Sequence, residues 1–398
     1  MGSFTRTASA PSLFHLCVLC GEALDVCCAE AATVPLPMNE MEAMDRALAL
    51  ALKGWGRVSP NPLVGAVLLR DGQVVGEGCH AEFGGPHAEV AALASCPDPR
   101  ETTCVVTLEP CAHHGKTPPC VEALISAGVR RVVLALRDPH PEARGGVEVL
   151  RRAGVEIDVG CRRDAAAALN APFLWGVARP DRPFVVLKIA TSLDGFIADA
   201  EGRSQWISGD EAREYVHWLR AGFDAIGVGR RTADADDPQL TARGAVTPRV
   251  PPRRIIFARS GRVREDLQLV RTAREVPTIV VTSPHLRDET AGRLSGAGVQ
   301  VVGAEGVTVA LRALRALGVS SILVEGGSTF AAELLAQDLV DRLYQIQAPL
   351  WLGTGMPAFG PRDPVLLEPA RQWVVTERRA LGRDSLLVVD RELCLPAS

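Results

Sequence analysis

Three residues stand where a metal could be held: His87, Cys111 and Cys120. One imidazole and two thiolates are the protein's share of a catalytic zinc site, which keeps its fourth position open for water. Glu89 follows His87 at the start of a predicted helix, so its carboxylate can take a proton from that water and hand it to a leaving group. Each residue taken singly has a plainer reading, since free cysteines are mostly small buried apolar side chains and a histidine at a helix start is mostly a hydrogen-bonded one. Together, with Pro110 ahead of Cys111 and strands on either side, they favour the zinc site. His80, His113 and His114 are weaker candidates that could equally cap or line a loop. Lys116, in a loop bounded by glycine and prolines, either meets a substrate phosphate or is an ordinary solvated lysine.

A second group of residues suits a phosphate-bearing ligand. Gly227-Val228-Gly229-Arg230-Arg231-Thr232 leads to Asp236, although a short Gly-x-Gly is more often just a turn. Ile322 to Val324 is an apolar strand, and Glu325-Gly326-Gly327-Ser328-Thr329 then opens a helix. Glycines before a helix N-terminus make an anion site fit for a dinucleotide pyrophosphate. The plainer alternative is a glycine turn with a serine cap, and the third glycine and downstream acid of a Rossmann fingerprint are lacking.

The surrounding pattern places both groups on α/β scaffolds. Apolar spacing predicts a helix from Met41 to Lys53, and an Asp71-Gly72 turn joins strands at Val64–Leu69 and Val74–Gly78. A helix over His87–Ser95, a strand over Thr103–Thr107, a helix over Pro119–Ala127 and a strand over Arg131–Ala135 continue the alternation. The stretch from Asp164 to Pro183 reads as irregular because Asn170, Pro172, Pro180 and Pro183 crowd it, and it puts a domain boundary near residue 180. Strands beyond it are predicted at Phe184–Ile189, Ala225–Val228, Arg254–Phe257, Thr278–Thr282, Val299–Val302 and Ser321–Val324.

At 398 residues, 47% apolar and with a formal net charge of −4, the chain is ordinary globular material long enough for two domains. It shows no basic face for nucleic acid. The longest uncharged run, 343–361, is broken by Gln, Pro and Gly, so no membrane span is expected. Eleven cysteines, an odd number, argue for a reducing, cytoplasmic setting rather than a disulfide framework. Cys17, Cys20, Cys27 and Cys28 lack the second well-spaced pair of a structural zinc site, and residues 1–37 read as a disordered extension without chemistry. The expected division is therefore 1–37, a zinc-bearing domain over 38–180 and a second domain over 181–398.

The motifs Ser59-Pro60-Asn61-Pro62, Val64-Gly65-Ala66-Val67, Gly78-Cys79-His80, Pro86-His87-Ala88-Glu89 and Glu109-Pro110-Cys111 through Thr117-Pro118-Pro119-Cys120 resemble the deaminase half of the bifunctional riboflavin-biosynthesis deaminase/reductases. The long insert between the two cysteines sets this family apart from other zinc deaminases of nucleobases. The segment from Pro183 to about Gly360, with Lys188 to Gly195, Ser204 to Ser208 and Ile322 to Phe330, is similar to the reductase half. The resemblance implies a cytidine-deaminase-like three-layer domain followed by a dihydrofolate-reductase-like domain.

It also implies one zinc ion on His87, Cys111 and Cys120, Glu89 as proton shuttle, and Asn61, His80 and Lys116 on the pyrimidine ribotide substrate. In the second half it puts Ala190, Trp206, Thr232, Asp236, Gly327, Ser328 and Thr329 on NADPH, and Ser204, Arg220, Leu240, Arg243 and Glu325 on the sugar phosphate. Lys188 or Asp236 would assist proton balance during hydride transfer, and copies would associate through the reductase domain. Two departures stand out. Asp138-Pro139-His140-Pro141 replaces the family's Asp-Pro-Asn-Pro, and Ala258-Arg259 replaces a common Asp-Ser, which leaves those two loops' roles open. A deaminase with a non-reducing second domain, and a non-catalytic protein with a structural zinc, are the rival readings.

Overall fold

Asn39 starts the first helix by a reciprocal cap: its side chain accepts from the Glu42 N–H, and the Glu42 carboxylate accepts from the Asn39 N–H. The computed structural model describes residues 37–114, 118–360 and 373–392, so Lys116 and the four cysteines before residue 30 lie outside the described residues. In the first half the elements run α1 (Glu40–Ala51), β1 (Gly65–Arg70), β2 (Gln73–Cys79), α2 (Ala88–Ala94), β3 (Thr103–Val106), α3 (Cys120–Ser126), β4 (Arg131–Leu134), α4 (Gly146–Arg152), β5 (Glu156–Val159), α5 (Arg163–Leu169) and α6 (Ala171–Ala178). Asp71 and Gly72 both take positive φ, as the tight hairpin between β1 and β2 requires.

The five strands pair in the order β2-β1-β3-β4-β5, with β3, β4 and β5 parallel. Side chains alternate across this sheet with the period of two that strands impose. Val67, Leu69, Val105 and Val133 pack with α1 and α5, while Ala66, Leu68, Cys104, Val106, Val132 and Leu134 pack with α2, α3 and α4. The result is three layers, as expected.

The stretch expected to be irregular, 164–183, instead carries α5 and α6. Asn170 separates them, and Pro172 lies in the first turn of α6, where a missing N–H costs no helical hydrogen bond. Pro180 and Pro183 then lead into the second half.

That half continues with β6 (Phe184–Thr191), β7 (Phe196–Ala198), α7 (Asp210–Ala221), β8 (Ala225–Gly229), α8 (Arg230–Asp236), β9 (Arg253–Phe257), α9 (Gln268–Arg271), β10 (Thr278–Thr282), α10 (Arg287–Leu294), β11 (Gln300–Gly303), α11 (Gly306–Ala316), β12 (Ser321–Glu325), α12 (Ser328–Ala336), β13 (Arg342–Gln347), β14 (Met356–Pro357), β15 (Val374–Leu381) and β16 (Asp384–Asp390). Nine of these strands form one sheet, β11-β10-β9-β8-β12-β6-β13-β16-β15. It is parallel from β11 to β13 and antiparallel from there to its edge. The hairpin β15–β16 has no counterpart among the predicted strands.

The two halves share a core. Ala51, Trp55, Val58 and Leu63 of the first pack with Tyr215, Leu219 and Phe223 and with the sheet residues Phe184, Val186 and Leu323 of the second. The indoles of Trp55 and Trp218 stack at 4.6 Å, and Trp55 Nε1 donates to the Trp218 carbonyl at 2.8 Å. Among the described residues, no helix is long and apolar enough to cross a membrane.

Candidate active sites

His87 sits just before α2 with extended backbone, Glu89 lies in the first turn of that helix, and Cys120 is the first residue of α3. Cys111 follows β3 through the loop 107–110. The His87 Nδ1 atom is 3.2 Å from Cys120 Sγ and 3.5 Å from Cys111 Sγ. Donors on a tetrahedral zinc, with Zn–N near 2.0 Å and Zn–S near 2.3 Å, stand roughly 3.5 Å apart, so this trio already has the size of a zinc site. The Cys120 N–H donates to Cys111 Sγ at 3.4 Å, which favours the thiolate form a metal needs.

Glu89 is 3% exposed, and burial pushes its carboxyl up to about 7. His80 is held on both sides: its Nδ1 meets the Pro86 carbonyl at 2.9 Å and its Nε2 meets Asn61 Nδ2 at 3.1 Å. With the Nδ1 proton on the carbonyl, Nε2 accepts from the Asn61 amide, and one donor–acceptor edge is built from both side chains. The His80 ring stands edge-on to His87 at 5.4 Å. Asn61, His80, His87 and Glu89 are thus brought together. His113 and His114 are exposed on the loop after Cys111.

Sequence reasoning missed Glu109. Its carboxylate is fully buried and accepts from Arg137 Nε at 3.0 Å and from the N–H groups of Asp138, Gly145 and Val147 at 3.0, 3.2 and 2.9 Å. It ties the 137–147 loop to Pro110-Cys111, and a Cβ on Gly146 would collide with the Pro110 carbonyl. The available signal was the position itself, since a carboxylate between Leu108 and Pro110 in a buried turn must be paired. Asp138, in that loop, accepts from the His140 N–H at 2.8 Å, and burial pushes its carboxyl up to about 6.

The second group gathers at the C-terminal ends of β6, β8 and β12, where ligands of parallel sheets bind. Lys188 on β6 and Glu325 on β12 are partners in the ladder. Arg220 from α7 grips both oxygens of Glu325, at 2.6 and 2.9 Å, and its Nη1 donates to the Thr241 carbonyl at 3.1 Å. Both oxygens of Glu325 therefore serve Arg220. Arg243 Nε donates to Thr241 Oγ1 at 3.0 Å, which brings Arg243 to the same corner. Burial lowers the Lys188 ammonium, and Glu325 opposes that shift.

Thr232, in α8, and Gly327, at the cap of α12, come from the two glycine motifs and meet: a Cβ on Gly327 would stand 2.7 Å from the Thr232 hydroxyl. Ser328 and Thr329 open α12 just beyond. Ala190 is near the end of β6 and Ser204 is half-buried. Trp206 is 65% exposed, with the Arg213 guanidinium 4.7 Å from its ring. Asp236 ends α8 on the surface, and Leu240, at positive φ, sends its side chain into the core, which leaves only its main chain to face a ligand. Ala258 is buried and Arg259 is exposed.

The family described as the cytidine and deoxycytidylate deaminase zinc-binding region matches residues 38–136, and that described as the RibD C-terminal domain matches residues 183–384. The riboflavin biosynthesis protein RibD of Aquifex aeolicus is 41% identical over 317 residues, covering 79% of this chain and 88% of that protein. Its namesake from Escherichia coli is 39% identical, covering 80% and 89%. Among solved structures, the diaminohydroxyphosphoribosylaminopyrimidine deaminase/5-amino-6-(5-phosphoribosylamino)uracil reductase of Thermotoga maritima superposes with a TM-score of 0.75 at 36% identity, covering 88% of this chain and 98% of that one. Acinetobacter baumannii RibD gives 0.74 at 35% identity, covering 90% and 99%.

Proposed function

The chain belongs to the RibD family of bifunctional riboflavin-biosynthesis enzymes, with deaminase and reductase halves both present, and from that premise we propose how its residues divide the work. The substrate of the first half is 2,5-diamino-6-ribosylamino-4(3H)-pyrimidinone 5′-phosphate, which loses an amino group as ammonia. The second half reduces the ribosyl side chain of the deaminated product to ribityl. The working division keeps the boundary near residue 180, between the two matched segments.

The observation that carries the deaminase reading is the spacing of three ligand atoms beside a buried carboxylate. A zinc ion on His87, Cys111 and Cys120 supplies an activated water when bound. Glu89, kept close to neutral pH by burial, accepts a proton from that water and delivers it to the departing amine. The Asn61 and His80 edge orients the pyrimidine, and Lys116 is assigned to its phosphate.

In the second half NADPH, the nicotinamide cofactor of this proposal, supplies hydride when bound. The Gly326-Gly327 turn, Ser328 and Thr329 at the start of α12, and Thr232 receive its phosphates, with Ala190, Trp206 and Asp236 along the rest of it. Arg220, aimed by Glu325, and Arg243 hold the sugar phosphate, with Ser204 and the main chain of Leu240. Lys188 lies beside this corner as the group that supplies a proton to the ribose oxygen. A cytoplasmic setting fits the free thiols of Cys79, Cys96 and Cys104. Homo-oligomers through the reductase half fit its edge strand β15, which exposes Val374 and Val375.

The test follows ammonia release and NADPH absorbance separately on the diaminopyrimidinone ribotide, with and without a zinc chelator. Chelation is expected to stop ammonia release and to leave NADPH consumption on deaminated substrate intact. Ammonia release that survives removal of the metal would overturn the zinc reading.

A further inference from the structure

Two loops deliver the pyrimidine edge of the deaminase half. One runs from Gly56 through Ser59 to Asn61, and the other runs from His80 through Phe83 to His87. Within the half they are joined by the Asn61–His80 hydrogen bond at 3.1 Å, by the ion pair Arg57 Nη2–Glu82 Oε2 at 2.9 Å and by the Phe83 N–H on the Arg57 carbonyl at 3.2 Å. The ion pair lies at the surface, where it holds little by itself.

A further tie comes from the other half of the chain. Arg249 donates its main-chain N–H to the Gly56 carbonyl at 2.9 Å and its Nη2 to the Ser59 carbonyl at 2.7 Å, and its guanidinium lies 4.8 Å from the centre of the Phe83 ring. One side chain thus holds both loops, two residues from Asn61 and three from His80. Asp224 adds to this, accepting from Ser59 Oγ at 3.1 Å while its other oxygen takes the N–H groups of Ser320 and Ser321.

Arg249 lies in a stretch without regular secondary structure that runs from 237 to 252. In the same stretch, the Thr241 carbonyl accepts from Arg220, the residue assigned to the reductase substrate. Charged hydrogen bonds to carbonyls and a planar cation over an aromatic face are contacts that guanidinium makes well.

We propose that Arg249, a residue of the reductase half, is a positioning residue for the deaminase reaction, locking the loops that carry Asn61 and His80 in the geometry that receives the pyrimidine. The proposal rests on the reading of Asn61 and His80 as the substrate edge. It has a kinetic signature distinct from that of zinc or Glu89: loosened loops weaken substrate binding and orientation while metal and proton carrier stay in place.

The experiment uses the full-length enzyme with zinc. Arg249→Ala is expected to raise the deaminase KM about fivefold with a smaller fall in kcat, at unchanged zinc content and with reductase kcat/KM on deaminated substrate within about twofold. Arg249→Lys, which still reaches the Ser59 carbonyl and keeps a cation near Phe83, is expected to restore most of the loss. A deaminase KM in Arg249→Ala within about twofold of wild type would overturn the proposal. Should Arg249→Ala lower both activities together, Phe83→Leu decides, because it keeps apolar bulk and removes only the ring: a rise in deaminase KM alone upholds the proposal, and no rise ends it. Failure of the underlying reading looks different, since Asn61→Ala would then leave the deaminase KM of the wild-type background unchanged, whatever Arg249→Ala does.

Discussion

The Thr232 hydroxyl, in α8, lies 2.7 Å from the point where a Cβ on Gly327, at the cap of α12, would stand, although the two residues are almost a hundred positions apart in the chain. Gly327 also has φ of +86°, which a side chain rarely adopts. Any added carbon must push Thr232 or the turn away from the start of α12. Gly327→Ala is expected to raise the KM for NADPH at least about tenfold and to leave ammonia release unaltered. Nucleotide titration by fluorescence, with the ammonia assay beside it, checks this, and unchanged NADPH affinity would remove the α12 turn from the cofactor site.

The ionisable ligand side chains that act on Glu89, His87, Cys111 and Cys120, are all committed to the metal in the proposed site, so none of them substitutes for its proton transfer. Glu89→Gln keeps the shape and removes the base. Ammonia release should fall about 10²- to 10⁴-fold while zinc content and NADPH consumption hold. A structural zinc protein would show no such loss, so this variant also separates the enzyme reading from that rival.

The gathering of His87, Cys111 and Cys120 at one point beside Glu89 was legible because rare residue types at fixed spacing carry information without a fold. Most strands of both sheets were legible as well, since each of these is a short apolar run whose neighbours alternate between two packed faces, as Ala66 and Leu68 do against Val67 and Leu69, whereas β5 and β13 interleave charged or polar residues and were not predicted. Pairings across long stretches were not legible. Glu325 belongs to Arg220, and Trp55 to Trp218, through packing that no local pattern encodes. Helices α5 and α6 were hidden by Asn170 and Pro172, two breakers that fall at a junction and in a first turn, where neither breaks anything. The outer hairpin was hidden for the opposite reason: β15 is an edge strand with Arg378 and Arg379 among its exposed and half-exposed positions, and it lacks the apolar run that marked the others.

Burial alone would push the Glu325 carboxyl up, but the charge and hydrogen bonds of Arg220, with Lys188 nearby, outweigh it and hold the carboxyl below its ordinary value of 4.5. The folded state therefore binds this proton less readily than the unfolded chain. The pair's contribution is present above about pH 4.5 and is lost as pH falls through the lowered folded value. Glu325→Gln leaves Arg220 partly buried without its counter-charge, which is expected to cost about 3 kcal/mol at neutral pH. The gap between wild type and variant should close as the pH drops below the ordinary glutamate range. Urea midpoints across acid pH measure this, and a gap independent of pH would mean the ion pair contributes nothing to folding.

Trp55 gives the sharpest test of whether the two halves fold together. Its ring stacks on Trp218, meets Phe223 edge-on at 6.2 Å, and covers Gly222 so closely that a Cβ there would overlap the indole. A core that spans the junction makes each half's stability depend on the other, so calorimetry of the wild type is expected to show one transition. Trp55→Ala removes the ring and opens a cavity, at a cost of about 3–5 kcal/mol. Gly222→Ala forces the same contact apart from the other side. Both variants should lower the single transition, or split it into two as the halves uncouple, and deaminase activity should be lost at the lower temperature. Two separate transitions in the wild type, only one of which responds to Trp55→Ala, would show that the shared core does not couple the halves.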